Sequence, residues 1–190
     1  ASVDAALQRL HDGQGLARRR VWVAGGTGPV GRIAGVMAAQ LGAAVTLAGR
    51  SAATAQQAAQ EMGQRFGVAL QGAALGERGV LDGVEVMLAC AAAGVQVLSA
   101  QDVAGATQLK VAADINAVPP EGIAGVGAMD DAKAIAGSTA VGIGALTIGN
   151  VKYQTQQRLL VQMREAEKAV KLGVAEALAM ARAVLADAKT

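Results

Sequence analysis

Aromatic rings are almost absent from this chain: Trp22, Phe66 and Tyr153 are the only three among 190 residues. With so few stacking platforms and a formal net charge of only +2, nucleic acid is not expected as a partner. Cys90 is the only cysteine and His11 the only histidine, which excludes an intrachain disulfide and a cysteine cluster for metal, so no metal site is expected. No apolar run reaches the roughly 20 residues that span a bilayer, and no signal-peptide pattern opens the sequence. The default expectation is a cytoplasmic protein without membrane contact. What remains is plentiful in small aliphatics: hydrophobic residues make up 53% and charged residues 17%. Such a composition describes a globular body with a core of Ala, Val, Leu, Ile and Met and no long disordered tail. The length suits one α/β domain with a good core and is too short for two large ones.

The hydrophobic pattern alternates short strands with helices. A helix is expected over Ser2 to Leu10, ended by Gly13 and Gly15 before the basic stretch Arg18-Arg19-Arg20, which is read as solvating a strand entrance. Strands follow at 20 to 24, 44 to 48, 68 to 71, 84 to 90, 109 to 114 and 139 to 143. Helices are expected from Pro29 to Leu41, stopped by Gly42, and from Ala52 to Phe66, stopped by Gly67, with a short helical piece around Glu77 to Leu81. After Gly144 to Asn150, read as a glycine loop, a long helical region carries Leu159, Met163, Ala166 and Val170 at helical spacing, and Gly173 interrupts it. The fold class implied is α/β, a Rossmann-like doubly wound parallel sheet with helices on both faces and a long C-terminal helical segment. Residues 1–17 then form a leading helix and linker remnant, 18–150 a dinucleotide-binding domain, and 151–190 a helical segment packing toward a partner domain or subunit.

The strongest motif is Gly26-Thr27-Gly28-Pro29-Val30-Gly31, directly behind the apolar run Val21 to Ala24 and ahead of a helix. Strand, glycine turn and helix in that order form the context in which such a fingerprint indicates a dinucleotide. Gly26 is read as permitting the tight turn, Gly28 as admitting a pyrophosphate close to the backbone, and Gly31 as letting the helix approach the strand. The helix then directs free N–H groups at the phosphates. In an NAD site the second strand would end in an acid for the adenosine ribose, but no Asp or Glu occurs between Gly26 and Arg50. The strand ends instead in Gly49-Arg50-Ser51, and a guanidinium beside a hydroxyl suits the 2′-phosphate of NADP. NADP is therefore preferred, with NAD possible but weaker. Ser51 also stands where it would cap the following helix.

The other strand ends carry further candidate residues. Ala89-Cys90-Ala91-Ala92 offers a small-residue surface for the cofactor, and Cys90, with no base nearby in sequence, is read as a buried small residue and not a nucleophile. Asp114 and Asn116 would either bond the nicotinamide ribose or carboxamide or satisfy turn backbone. Asp130-Asp131 is read as an N-cap with its neighbour before a helical segment. Lys152 either reaches the cofactor or a substrate carboxylate, or is an ordinary solvated lysine.

Gly-Thr-Gly-Pro-Val-Gly at 26 to 31, Ala-Gly-Arg-Ser at 48 to 51, Ala-Asp-Ile-Asn-Ala-Val-Pro-Pro-Glu-Gly-Ile at 113 to 123 and Gly-Ala-Leu-Thr-Ile-Gly-Asn-Val-Lys at 144 to 152 together resemble the NADP-dependent methylene-tetrahydromethanopterin (methylene-tetrahydrofolate) dehydrogenases of one-carbon metabolism. The resemblance implies hydride transfer between the methylene carbon of a tetrahydropterin C1 carrier and NADP. It implies cofactor contacts at Thr27, Gly28, Pro29 and Val30, at Arg50, Ser51 and Thr54, at Ala89, Cys90, Ala91 and Ala92, and at Lys152. Family members carry a substrate domain of roughly a hundred residues ahead of the glycine motif. Here only residues 1–25 stand there and the chain opens on Ala1, so the cofactor half of such an enzyme is expected. An exposed apolar stripe on the C-terminal helices, and with it a homo-oligomer, is expected as well. Removing hydride from an N–CH2–N carbon moves no proton, so no catalytic acid or base is assigned. Two other classes remain open: a shikimate- or quinate-dehydrogenase-like NADP reductase, and a non-catalytic NADP-binding module.

Overall fold

The computed structural model describes residues 1–11, 13–77 and 81–188. Its elements in chain order are α1 (Ser2–Leu10), β1 (Arg20–Ala24), α2 (Pro29–Gln40), β2 (Ala44–Gly49), α3 (Ala52–Phe66), β3 (Leu70–Ala74), β4 (Val86–Ala89), α4 (Ala100–Gly105), β5 (Val111–Asp114), β6 (Asp131–Ala134), β7 (Val141–Ile143), α5 (Ala145–Glu165) and α6 (Val174–Asp187). Among the described residues the strands form one sheet in the order β3-β2-β1-β4-β5-β7-β6. All neighbours run parallel except β6, which pairs antiparallel with β7 at the edge. β1 and β4 are adjacent although two helices and two strands separate them in sequence. That adjacency is the topological switch point of a doubly wound sheet, and it opens a crevice at the carboxyl ends.

Strands covered on both faces read as continuous apolar runs. Val21, Val23, Val45, Leu47, Val86, Val111 and Ile143 turn to one face, where they meet Val3 and Leu7 of α1, Ala38 of α2 and Ala58 and Ala59 of α3. Trp22, Met87 and Ala112 turn to the other and meet Val103 of α4, Leu98, Leu109, Ile123 and Ile135. Small residues set the layer spacing. A Cβ at Gly72 would strike the α3 backbone at Ala55 and Gln56, so β3 and α3 touch main chain to main chain.

The ends of the strands differ from the sequence expectation wherever a turn captures the first N–H. Val68 was expected to open β3, but its N–H donates to the Gly63 carbonyl at 3.2 Å behind the left-handed Gly67 cap, so the strand begins at Leu70. Val84 and Leu109 likewise donate to Leu81 and Ala106, which leaves β4 and β5 to begin at Val86 and Val111. Ala140 donates to the Ser138 hydroxyl at 3.2 Å, and β7 begins at Val141. The helical piece expected around Glu77 to Leu81 includes residues 78–80, which lie outside the described residues.

Four expectations are corrected. Arg19 does not solvate the strand entrance: it is buried and donates to Glu85 Oε1 at 2.7 Å, tying β1 to the approach to β4. Asp130 and Asp131 cap no helix. Asp131 opens β6, while the Asp130 carboxylate accepts from the Gly127 N–H at 2.7 Å and lies 3.4 Å from the Lys133 ammonium. The segment read as a glycine loop after Gly144 is the first turns of α5, seated by Gly144 and Leu146 N–H groups on the Asp130 and Ala128 carbonyls, both at 2.8 Å. Finally, α5 ends at Glu165 and Ala166 is extended, so Ala166 and Val170 do not continue its stripe; Gly173 is the N-cap of α6.

The two C-terminal helices join the front of the chain. Asp4 of α1 is buried, accepts from the Leu16 N–H at 3.0 Å and receives Arg182 of α6 at 2.8 Å. Arg158 and Asp187 pair at 2.6 Å between α5 and α6. No helix among the described residues is long and apolar enough to cross a membrane.

Candidate dinucleotide site

Strand register brings the site together. Ala24 aligns with Ala48 on one side and Ala89 on the other, and Ala89 aligns with Asp114. Gly25-Gly26, Gly49-Arg50, Cys90 and Ile115 therefore leave the sheet side by side along one carboxyl edge. Backbone bonds extend the ladder beyond the strands: Gly26 donates to Ala48 at 2.9 Å, Cys90 to Ala24 at 2.8 Å and Ile115 to Ala89 at 3.2 Å. A row of alanines makes the floor low.

The glycines of the loop divide their work differently from the expectation. The tight turn belongs to Gly25, with φ 71, and a Cβ there would lie 2.5 Å from the Cys90 carbonyl oxygen. Gly26 is required by proximity instead: its Cβ would meet Leu47 Cβ at 2.7 Å and Ala48 N at 2.9 Å. A Cβ on Gly31 would run into the Gly25 carbonyl, so α2 rests directly on the turn. Gly28 is the exception. Its φ −78 and ψ 166 suit any residue, and its Cβ would meet only Gly25 O, at 3.3 Å. The fold asks least for glycine at 28, which leaves backbone open to the mouth where a pyrophosphate would approach.

No side chain caps α2, and Pro29 removes one donor, so the N–H groups of Val30 and Gly31 face an uncapped helix end. This is a cradle for an anion. The Thr27 methyl lies over Gly49, close enough that a Cβ there would sit 2.8 Å from it, so the glycine loop and the β2 end are in contact. Arg50 is exposed and has no partner among the described residues. Ser51 caps α3, its hydroxyl accepting from the Thr54 N–H at 3.5 Å. A free guanidinium beside a helix N-terminus is a donor set that fits a dianionic phosphate.

At the other end of the edge lies a cavity of about 380 Å³. Val30 and Met37 of the α2 side, Leu88, Cys90 and Ile115 of the strand ends, and Ile148 and Lys152 of α5 line it. The structure thus places Val30, Cys90 and Lys152 around one space although they are far apart in sequence. The Cys90 thiol is pushed up to about 11 by burial, with the Asp114 charge adding to the effect. Asp114 itself is occupied, accepting from Asn116 N–H at 2.9 Å and Ile123 N–H at 3.1 Å. The Asn116 amide is engaged too: its oxygen accepts from Gly94 and Val118, at 3.2 and 3.0 Å, and its nitrogen donates to Pro120 O at 2.8 Å. Ala91 and Ala92 follow Cys90 beyond the end of β4 and are not among the residues that line the cavity.

Gly25, Ile115 and Ile148 were not singled out from sequence. The doubled glycine before the fingerprint was the available signal for Gly25; nothing local marked the two isoleucines, which reach the cavity only through strand and helix packing.

No family model matches the chain. It is 38% identical over 172 residues to the NAD(P)-dependent methylenetetrahydromethanopterin dehydrogenase of Methylorubrum extorquens, covering 87% of this chain and 58% of that protein. It is 30% identical over 133 residues to bifunctional protein MdtA of the same organism, covering 68% and 46%. The chain therefore spans about half the length of the curated relatives it matches. Among solved structures, a short chain dehydrogenase from Shigella flexneri is 22% identical, covers 53% of this chain and 57% of that one, and superposes with a TM-score of 0.37. For a short chain dehydrogenase from Salmonella enterica the identity is 24%, the coverage 50% and 47%, and the TM-score 0.34.

Two outcomes are expected. Gly28→Ala leaves unfolding free energy within about 1 kcal/mol of the parent but lowers dinucleotide affinity at least about tenfold, while Gly31→Ala costs about 1–3 kcal/mol of stability. Urea melts and calorimetry separate the two, and normal binding by Gly28→Ala would remove the loop from the site. Iodoacetamide should modify native Cys90 appreciably only as pH rises toward about 11, and the urea-unfolded chain already near 9. Because the folded-state value is the raised one, the corresponding stability is present below pH 9 and lost as pH rises toward 11. Fast alkylation of the native protein at pH 8 would contradict the raised value of this half-buried thiol.

Proposed function

The chain belongs to the methylenetetrahydromethanopterin dehydrogenase family, and from that kinship we propose that it binds NADP along this edge and serves hydride transfer between NADP and the methylene carbon of a tetrahydropterin C1 carrier. In this reading residues 18–150 are the cofactor-binding unit of a cytoplasmic enzyme of one-carbon metabolism. Residues 151–190 face a partner domain or a second subunit. Exposed Leu160, Val161, Met163 and Val170 on and beyond α5 support that last assignment.

The observation that carries the proposal is the joining of an anion cradle to an apolar cavity whose lining holds no carboxylate and no imidazole. The N–H groups of Val30 and Gly31 would hold the pyrophosphate, with Gly28 allowing close approach. Arg50, with the Ser51 to Thr54 turn, would hold the 2′-phosphate and favour NADP over NAD. Ala89, Cys90, Ala91 and Ala92 would form the low floor under the ribose and ring, and Asn116 would close the far side through the turn it stabilises. Bound NADP supplies the hydride acceptor. Val30, Ile115 and Ile148 would exclude water from the transfer, and Lys152 lines the same cavity.

An acid- and base-poor wall suits this substrate. Loss of hydride from N–CH2–N leaves a cation shared by the two nitrogens, and no proton moves in that step. A hydroxy-acid dehydrogenase needs a proton acceptor at the reacting oxygen. His11 lies beyond the far end of α1 from the residues that line the cavity, Tyr153 is exposed, and the Cys90 thiol stays protonated at neutral pH.

Arg50→Ala should weaken NADP roughly ten- to hundredfold and leave NAD nearly unchanged. Equal losses for both would take Arg50 away from the 2′-phosphate. NADPH formation from methylene-tetrahydromethanopterin, with none from quinate or shikimate, is the expected substrate result; the reverse would select the hydroxy-acid class.

A further inference from the structure

Arg32 follows the last glycine of the loop and lies in the first turns of α2, where a cation opposes the helix dipole. Its guanidinium is engaged on two sides. Nε donates to the Thr27 carbonyl at 2.9 Å, and one Nη donates to Glu61 Oε2 of α3 at 2.8 Å. Glu61 is itself steadied by Gln57 Nε2, which donates to Oε1 at 2.9 Å, and the bond from Arg32 holds its carboxyl below the usual carboxylate range.

The peptide plane between Thr27 and Gly28 is consequently gripped at both ends. Gly28 N–H donates to Gly25 O at 3.0 Å, and the Thr27 carbonyl, opposed to that N–H across a trans unit, accepts from Arg32. Were this plane to turn over, the Gly28 N–H would lose the Gly25 carbonyl, and the turn that presents the free Val30 and Gly31 N–H groups to an anion would change. Arg50 stands apart from this arrangement at the end of β2.

Resting on the dinucleotide reading above, we infer that Arg32 is a positioning residue of the phosphate loop, acting on a pyrophosphate through the Thr27 carbonyl. Its contribution is common to NADP and NAD, since both carry the pyrophosphate, whereas that of Arg50 belongs to the 2′-phosphate. Glu61 orients Arg32 from outside and is secondary to the Thr27 bond.

Calorimetric titration of the parent, Arg32→Met and Glu61→Gln with NADP and with NAD, together with amide hydrogen exchange at Gly28 in the ligand-free proteins, tests this. Arg32→Met should lose about tenfold or more for both dinucleotides alike and exchange faster at Gly28. Glu61→Gln, which keeps the bond to Thr27, should stay within about threefold of the parent. Equal losses in the two variants would locate the effect in the link between α2 and α3 and overturn the inference, as would normal binding by Arg32→Met. A parent protein that binds neither dinucleotide would count against the functional reading itself. Exchange at Gly28 would then decide Arg32 alone, acceleration supporting its role and unchanged exchange overturning it.

Discussion

Main chain meets main chain between the turn after β1 and its two neighbours, and the site is built on that contact. Gly25 leaves room for the Cys90 peptide, Gly26 for Leu47 and Ala48, and Gly31 for the turn itself. Any side chain at these three positions would lift α2 away from β2 and β4. The helix N-terminus would then no longer overlie the switch point, and the row of alanines at the strand ends would have nothing above it. Close packing of this kind tolerates little adjustment, because interiors are as dense as organic crystals. The low aromatic content of the chain fits the same constraint: a sheet flanked by glycine contacts holds small aliphatic side chains.

Charge is laid out along the carboxyl edge in keeping with an anionic ligand. Arg50 stands free at the end of β2, Arg32 braces the loop from behind, and Lys152 reaches the cavity from α5. The nearby buried carboxylate, Asp114, is saturated by backbone N–H groups and serves the turn after β5. In the proposed reading binding and chemistry separate in space: the free N–H groups and Arg50 gather around the α2 and α3 N-termini, and the apolar cavity lies against the ends of β4 and β5. Hydride transfer in such a site would rest on holding two carbons in contact.

The sheet, its strand order class and the glycine turn between β1 and α2 were legible because each rests on local pattern: β-branched runs, glycine caps and a fingerprint between strand and helix. Both Gly42 and Gly67 end their helices with positive φ, as read. What escaped depends on tertiary partners. β6 carries Asp131 and Lys133, polar residues unlike a strand core, and exists because it pairs with β7 at an edge. α4 is six residues long and has no periodicity to detect, although Ser99 and Asp102 form a capping box that the sequence did display. Arg19 looked like a surface residue in a basic run, and only the fold brings Glu85 to it. In the site, Gly26, Gly28 and Gly31 were visible as a motif, yet their separate jobs follow from distances that no spacing reveals.

In the proposed function this edge binds a dinucleotide and its β2 end prefers the 2′-phosphate. Calorimetric titration of the chain with NADP and with NAD at one fixed salt concentration tests it most directly. Binding of both is expected, with NADP clearly tighter. Binding of neither, or a preference for NAD, would contradict it.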